Sequence, residues 1–165
     1  MPYQAEIIAV GTELLLGNIA NTNAQFLSQL LASAGVNLLY HTAVGDNPQR
    51  LRAAVETARS RCDLLVFTGG LGPTYDDMTK ETVAGVFGLA LEYHPEVMEE
   101  IQQYFDRVFH RPMPACNRQQ AMLPQGCTVL HNPVGTAPGC IFTAGGVTAT
   151  NFGTIGQDSE LESSS

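Results

Sequence analysis

Tryptophan is missing from this 165-residue chain, lysine occurs once, and the basic residues never gather into a run longer than the Arg59/Arg61 pair. Sequence-independent binding to nucleic acid needs clustered Lys and Arg to displace counterions, and the formal charge of −8 argues against such a partner. A small anionic substrate is still allowed, because a local site can be positive on an acidic protein. Without tryptophan, and with 16 glycines, close backbone approach is a better theme for binding than an aromatic cage. No apolar run reaches the ~18 residues of a membrane span, so no membrane partner is expected. The opening MPYQAEIIAV has neither a basic n-region nor a cleavage site. It does not read as a signal peptide, and a cytoplasmic location is expected. Cys62, Cys116, Cys127 and Cys140 form no CxxC pair, and in a reducing compartment they read as small buried hydrophobes. Cys116, Cys127 and His131 lack the paired spacing of a zinc site.

What is present suits one globular domain: 44% of the residues are apolar and 15% charged, enough for a substantial core. Residues 6–10, EIIAV, are short, β-branched and followed by glycine, as in a buried strand. After residues 11–23, Phe26, Leu27, Leu30, Leu31 and Ala34 fall on one helical face, and Gly35 stands where a helix ends. Residues 36–44 are strand-like and lead into Gly45-Asp46-Asn47-Pro48, with Asn47 as cap and Pro48 in the first turn. Leu51, Ala54, Val55 and Ala58 then give the apolar face of a second helix. Residues 63–68, DLLVFT, are apolar on both faces, like a strand in a parallel sheet covered on each side. A helix over 78–87 closes at Gly88, a short strand covers 90–93, and helices follow over 95–108 and 117–122. Residues 127–130 and 140–142 read as a hairpin-like pair around a turn over 132–139.

This alternation predicts an α/β fold, a three-layer, doubly wound and mostly parallel sheet. Ligands in such folds bind at loops leaving the carboxyl ends of the strands. Three loops qualify: 11–23, 45–48 and 69–77. In the third, Gly69, Gly70 and Gly72 precede Pro73 and Thr74 between a buried strand and a helix. Glycines there let the backbone present N–H groups to an anion, and the helix start adds positive potential. A tight strand-to-helix turn also needs glycine for structural reasons alone. The loop is neither a P-loop nor a dinucleotide fingerprint. Its continuation, Tyr75-Asp76-Asp77-Met78-Thr79-Lys80, adds two carboxylates and the one lysine. Either acid alone serves as a cap or dipole partner, while the pair could hold a divalent ion with Lys80 neutralising phosphate oxygens. Asp46 is a third acid on the same rim, with a turn before Pro48 as its other reading. Glu13, Asn21 and Asn23 are polar candidates in the first loop. No spacing among the histidines suggests a proton relay, and no Ser or Cys lies in a nucleophile-elbow pattern.

The stretches AEIIAVGTELLLGNIANTNAQFL, VGDN, GGLGPTYDDMTKETVA, NRQQAMLPQG and NPVGTAPG together resemble the amino-terminal domain of the CinA family. They run in family order over residues 5–142. That family resembles the molybdopterin-binding proteins of the MogA, MoaB and MoeA type, which implies their fold. Their TGGTG…RD-x-T loop is similar to Thr68-Gly69-Gly70-Leu71-Gly72 followed by Asp76-Asp77-Met78-Thr79, so their loop aspartate falls on Asp77. Their second-strand aspartate falls on Asp46, and their first-loop motifs fall on Gly11, Thr12 and Glu13 and on Asn21 and Asn23.

The resemblance implies metal-dependent hydrolysis of the pyrophosphate in ADP-ribose-like nucleotides. The expected roles are Asp77, Asp46 and Lys80 in catalysis, with Asp76, Asp77 and Asp46 around a divalent ion (Mg, Mn or Co). Gly11, Thr12, Glu13, Asn21, Asn23, Gly69, Gly70, Gly72, Pro73 and Thr74 would contact the substrate. It also implies a homo-oligomer, and that a carboxyl-terminal deamidase domain of many family members is absent from this chain. Residues 1–142 are therefore expected to form the domain. Residues 143–165 depart from the family pattern, carry no Lys or Arg and end rich in Ser and acid, so they read as a flexible tail. Two other readings stand beside the hydrolase: a molybdopterin or adenylyl-pterin-binding domain, and a non-catalytic assembly module.

Overall fold

The computed structural model describes residues 3–15, 22–70, 78–132 and 135–152, the side chains of 13, 14, 22–24 and 152 excepted. Strand β1 (Gln4–Val10) is followed by a single helical turn α1 (Thr12–Leu15) and helix α2 (Thr22–Ser33). Then come β2 (Asn37–Val44), α3 (Pro48–Arg61), β3 (Leu64–Thr68), α4 (Thr79–Val86), β4 (Leu91–Tyr93) and α5 (Pro95–Tyr104). A π-helical turn (Phe105–Phe109) and a 3-10 helix (Ala115–Ala121) precede β5 (Met122–Pro124), β6 (Thr128–Leu130), β7 (Gly139–Ala144) and β8 (Val147–Phe152).

Six strands form the main sheet in the order β2-β1-β3-β8-β7-β6, and β4 pairs with β5 in a separate ribbon. The first four run parallel, while β7 is antiparallel to both β8 and β6. Alternation along the strands sorts the core onto two faces. Ile8, Val10, Leu65 and Phe67 pack with Leu51, Val55 and Ala58 of α3 and Val83 and Val86 of α4. Ile7 and Val66, pointing the other way, pack with Leu27 of α2. A further cluster joins Val97, Ile101 and Phe105 to Leu123 of β5 and Cys140 of β7. The predicted three-layer α/β arrangement is what the chain adopts. No helix among the described residues is long and apolar enough to cross a membrane.

Two expectations need correction. Residues 143–152 are not tail: Thr143 and Ala144 complete β7, and β8 lies between β3 and β7 inside the sheet. The strand VTATNF hides its role because its buried positions include Thr150 and Asn151. Their polar groups are matched internally: Thr150 Oγ1 donates to the Cys140 carbonyl at 3.1 Å, and Asn151 Oδ1 accepts from the Cys140 N–H at 3.1 Å. Residues 153–165 lie outside the described set. The apolar face assigned to α2 is also only partly covered, since Leu27 is buried but Phe26 and Leu30 are exposed. Short of that, α5 stops at Tyr104, and the π-helical turn that continues it ends at His110, whose φ of 53° is left-handed.

Candidate functional site

The parallel strands finish level with one another. Val10 lies opposite Val44, Ala9 opposite Thr68, and Thr68 opposite Phe152. Gly11, Gly45 and Gly69 therefore leave the sheet from one edge. The chain passes from β1 outward to β2 and then back across β1 to β3. That reversal leaves a crevice at the carboxyl ends of β1 and β3, where doubly wound folds take their ligands.

The first two loops are tied to each other. The Thr12 N–H donates to Asp46 Oδ2 at 3.2 Å, and the Asp46 N–H donates to Thr12 Oγ1 at 3.0 Å. This reciprocal pair holds an exposed carboxylate at a set place on the rim. A Cβ on Gly45 would stand in close contact with the Leu15 side chain at 3.2 Å and in ordinary contact with Thr12 Oγ1 at 3.5 Å. Beyond Asp46, the Asn47 side chain accepts from the Arg50 N–H at 3.0 Å and caps α3, as its sequence position requires.

The third loop starts with two left-handed glycines, Gly69 at φ 83° and Gly70 at φ 68°. A side chain on Gly69 would run into the Val10 carbonyl, and one on Gly70 into the Thr79 hydroxyl. Thr79 opens α4, and its N–H donates to the Gly70 carbonyl at 3.2 Å. Thr79 is fully buried, yet among the described residues its Oγ1 has no hydrogen-bond partner. A buried hydroxyl without a partner costs about 1–3 kcal/mol, and this one lies against the glycine turn. Beside it, a cleft of about 580 Å³ separates the starts of α3 and α4, lined by Pro48, Arg52, Met78, Glu81 and Gln119.

Of the residues singled out in the sequence, Gly11, Thr12, Asp46, Gly69 and Gly70 meet on this edge. Gly72, Pro73, Thr74, Asp76, Asp77 and Asn21 lie outside the described residues, as do the side chains of Glu13 and Asn23. Among the described residues no group of three His, Cys, Asp or Glu is set to hold a metal ion. Lys80 follows Thr79 on α4 and reaches Gln119, which lines the same cleft. Its Nζ donates to the Gln119 carbonyl at 2.7 Å, and burial pulls its pKa down to about 8 against the raising influence of Cys140, Cys127 and Glu81. Thr79 had no role assigned from sequence. The signal was its place in the D-x-T part of the loop motif, but its burial and missing partner are tertiary facts.

The family described as "Probable molybdopterin binding domain" matches residues 6–158. A "Putative competence-damage inducible protein" of Acetivibrio thermocellus is 57% identical over 138 residues, which cover 84% of this chain and 33% of that relative. The chain thus spans about a third of the length of the curated relatives it matches. The crystal structure of the protein CinA with unknown function from Thermoplasma acidophilum superposes with a TM-score of 0.83 at 33% identity, covering 98% of this chain and 93% of that one. MoaB from Thermus thermophilus, a molybdopterin biosynthesis enzyme, shares the fold at a TM-score of 0.55 and 18% identity, over 90% of this chain and 79% of its own.

Proposed function

From a chain that belongs to the CinA family and carries its molybdopterin-binding-type domain, we propose a metal-dependent nucleotide pyrophosphatase domain acting on ADP-ribose-like substrates. The observation that carries this reading is the buried Thr79 hydroxyl, which faces Gly70 at the crevice edge and has no partner among the described residues. A phosphate oxygen would accept from that hydroxyl, and the turn at Gly69 and Gly70 would bring backbone N–H groups to the same anion. Asp46, held by Thr12, is the acid on this rim that would orient a water or accept its proton. The donors here are oxygens, which suits a hard divalent ion. Asp46 would hold it, with Asp76 and Asp77 of the loop motif. Such an ion, when bound, polarises a phosphoryl oxygen and makes a coordinated water more acidic.

The test is formation of AMP and ribose phosphate from ADP-ribose, with and without Mg²⁺, Mn²⁺ or Co²⁺. Metal-dependent turnover is expected. Asp46→Asn keeps an oxygen for the Thr12 N–H and so keeps the fold, while kcat/KM falls by about 10²-fold or more. Thr79→Val loses a hydrogen bond to a charged oxygen, raising KM by roughly 10- to 100-fold, and Thr79→Ser restores it. Wild-type turnover in Asp46→Asn would remove that residue from the chemistry. No turnover by folded protein would sink the hydrolase reading itself. A second reading takes the family description at its word: the same anion cradle would hold a pterin phosphate. Calorimetry with molybdopterin against ADP-ribose separates the two ligands.

A further inference from the structure

The carboxyl edge of the sheet continues past the crevice. Strand β8 runs parallel to β3, and β7 and β6 extend the sheet in alternating direction. Gly139, which opens β7, stands opposite Leu130, which ends β6, and Cys140 stands opposite Asn151 of β8. The chain therefore leaves β6 at His131 and returns at Gly139 on the same edge as Gly11, Gly45 and Gly69. The helices there also share one face of the sheet. Cys140 and Phe142 point the same way along β7. Cys140 packs with Val97 and Ile101 of α5, and Phe142 packs in the cluster that holds Val83 and Val86 of α4. Between α5 and the segment after β6 lies a cleft of about 470 Å³, which the phosphate chemistry proposed above does not use.

The lining of this cleft is mixed and its walls are tied together. Val97, Ile101 and Pro138 supply apolar surface, and Tyr104 adds an aromatic ring set edge-on to Phe109 at 5.5 Å. Gln103 and Thr136 add donors and acceptors. His131 Nδ1 is hydrogen-bonded to Glu100 Oε2 at 2.9 Å, which joins the end of β6 to α5. Asn132 Nδ2 donates to the Ala137 carbonyl at 2.9 Å and braces the turn. A preformed cleft of this size, apolar with a few placed polar groups, suits a small heteroaromatic ligand. The cleft between α3 and α4 adjoins Thr79 directly and has no aromatic ring among its described lining.

We propose that the cleft between α5 and the end of β6 is the nucleoside subsite, which takes the base while the diphosphate lies at the glycine turn after β3. The inference rests on the pyrophosphatase reading above and adds to it the place of the base. Distance supports it. Strand β6 is the third strand from β3, and at about 4.8 Å per strand the two ends are roughly 14 Å apart. That gap suits a ligand whose base and cradled phosphate are separated by a ribose and a second phosphate. Chemistry supports it too. A base has apolar faces, which Val97, Ile101 and Tyr104 cover, and a polar edge, which Gln103 and Thr136 meet. It is uncharged, and the charged pair in the cleft, His131 and Glu100, is already internally matched. A sugar phosphate, charged and rich in hydroxyls, gains little from such a lining.

The experiment maps the base on the unaltered full chain with an azidoadenosine monophosphate photolabel, read by peptide mass spectrometry. Label is expected on Tyr104, Gln103 or Thr136 or their immediate neighbours. Excess AMP should suppress it, and excess ribose phosphate should not. Thr136→Trp, which fills the cleft, should weaken AMP binding about tenfold or more by calorimetry. Label on the peptides around Arg52 and Thr82, in the cleft between α3 and α4, would overturn the proposal. So would labelling that AMP does not compete, or AMP affinity in folded Thr136→Trp equal to that of the unaltered chain. Turnover of ADP-ribose, assayed in parallel, separates this idea from the one beneath it. Competed label in the cleft without turnover keeps the nucleoside subsite and removes the hydrolase. Turnover with the label elsewhere keeps the hydrolase and removes the subsite.

Discussion

Single residues decide the geometry of the crevice, and glycines show it most directly. Gly35 and Gly69 have nearly the same left-handed backbone, with φ of 78° and 83°, but different surroundings. A Cβ at Gly35 meets nothing, whereas at Gly69 it strikes the Val10 carbonyl. Gly35→Ala is expected to cost about 1–2 kcal/mol, the strain of the conformation alone. Gly69→Ala adds a backbone clash in the sheet edge and should exceed that value, with urea midpoints as the measure. Equal losses would mean that the Gly69 turn relaxes freely, which would weaken its role as a fixed anion cradle. Buried Glu6 shows a different residue-scale solution. It accepts from Arg61 Nε at 2.9 Å, Arg61 Nη2 at 3.1 Å and Thr42 Oγ1 at 2.7 Å, so its charge is compensated away from the crevice.

Among the elements, β8 is the one whose contribution differs most from its spelling. It is hydrogen-bonded on both sides, with Leu64–Thr68 on one edge and Gly139–Ala144 on the other. A chain ended after Ala144 should therefore lose cooperative unfolding and its near-ultraviolet circular dichroism. If that shortened chain melts like the full one, β8 is dispensable and the boundary expected at residue 142 would stand. Strands β1 and β3 were legible in the sequence because EIIAV and LLVFT are buried on both faces and carry little but apolar residues. Strand β8 was not, because Thr150 and Asn151 are internal only by virtue of partners on β7. The cap at Asn47 was legible since it depends on neighbours three residues away. The exposed half of α2 was not, since the number of helix faces a sheet can cover is a property of the assembly.

At the scale of the whole molecule, Lys80 links α4 to the 3-10 helix and to the cysteines, and its titration is coupled to folding. The unfolded chain releases this proton near 10.5 and the folded molecule near about 8. Between those values the unfolded state binds more protons, so stability rises with pH. Below about 8 both states are protonated and the folded molecule bears the full cost of burying the charge. The rise is expected to be on the order of 3 kcal/mol. Lys80→Met should remove it, as read by the difference between the two proteins' urea unfolding free energies across this pH range. A difference that does not change with pH would mean that Lys80 titrates normally.

The layered α/β class, the main strands and helices, and the edge at which the first three parallel strands release their glycine loops are all legible in the sequence. Those features depend on apolar periodicity and local backbone preference, which act between residues close in the chain. Long-range packing is what lets Thr12 clamp Asp46 across 34 positions, sets against Gly70 a buried Thr79 hydroxyl with no partner among the described residues, and brings Lys80 to Gln119. The same holds for Cys127 and Cys140, which carry no paired spacing and share one packed cluster. Contacts of this kind follow from strand register and helix placement, and their residues acquire a chemical environment only when distant segments exclude water together.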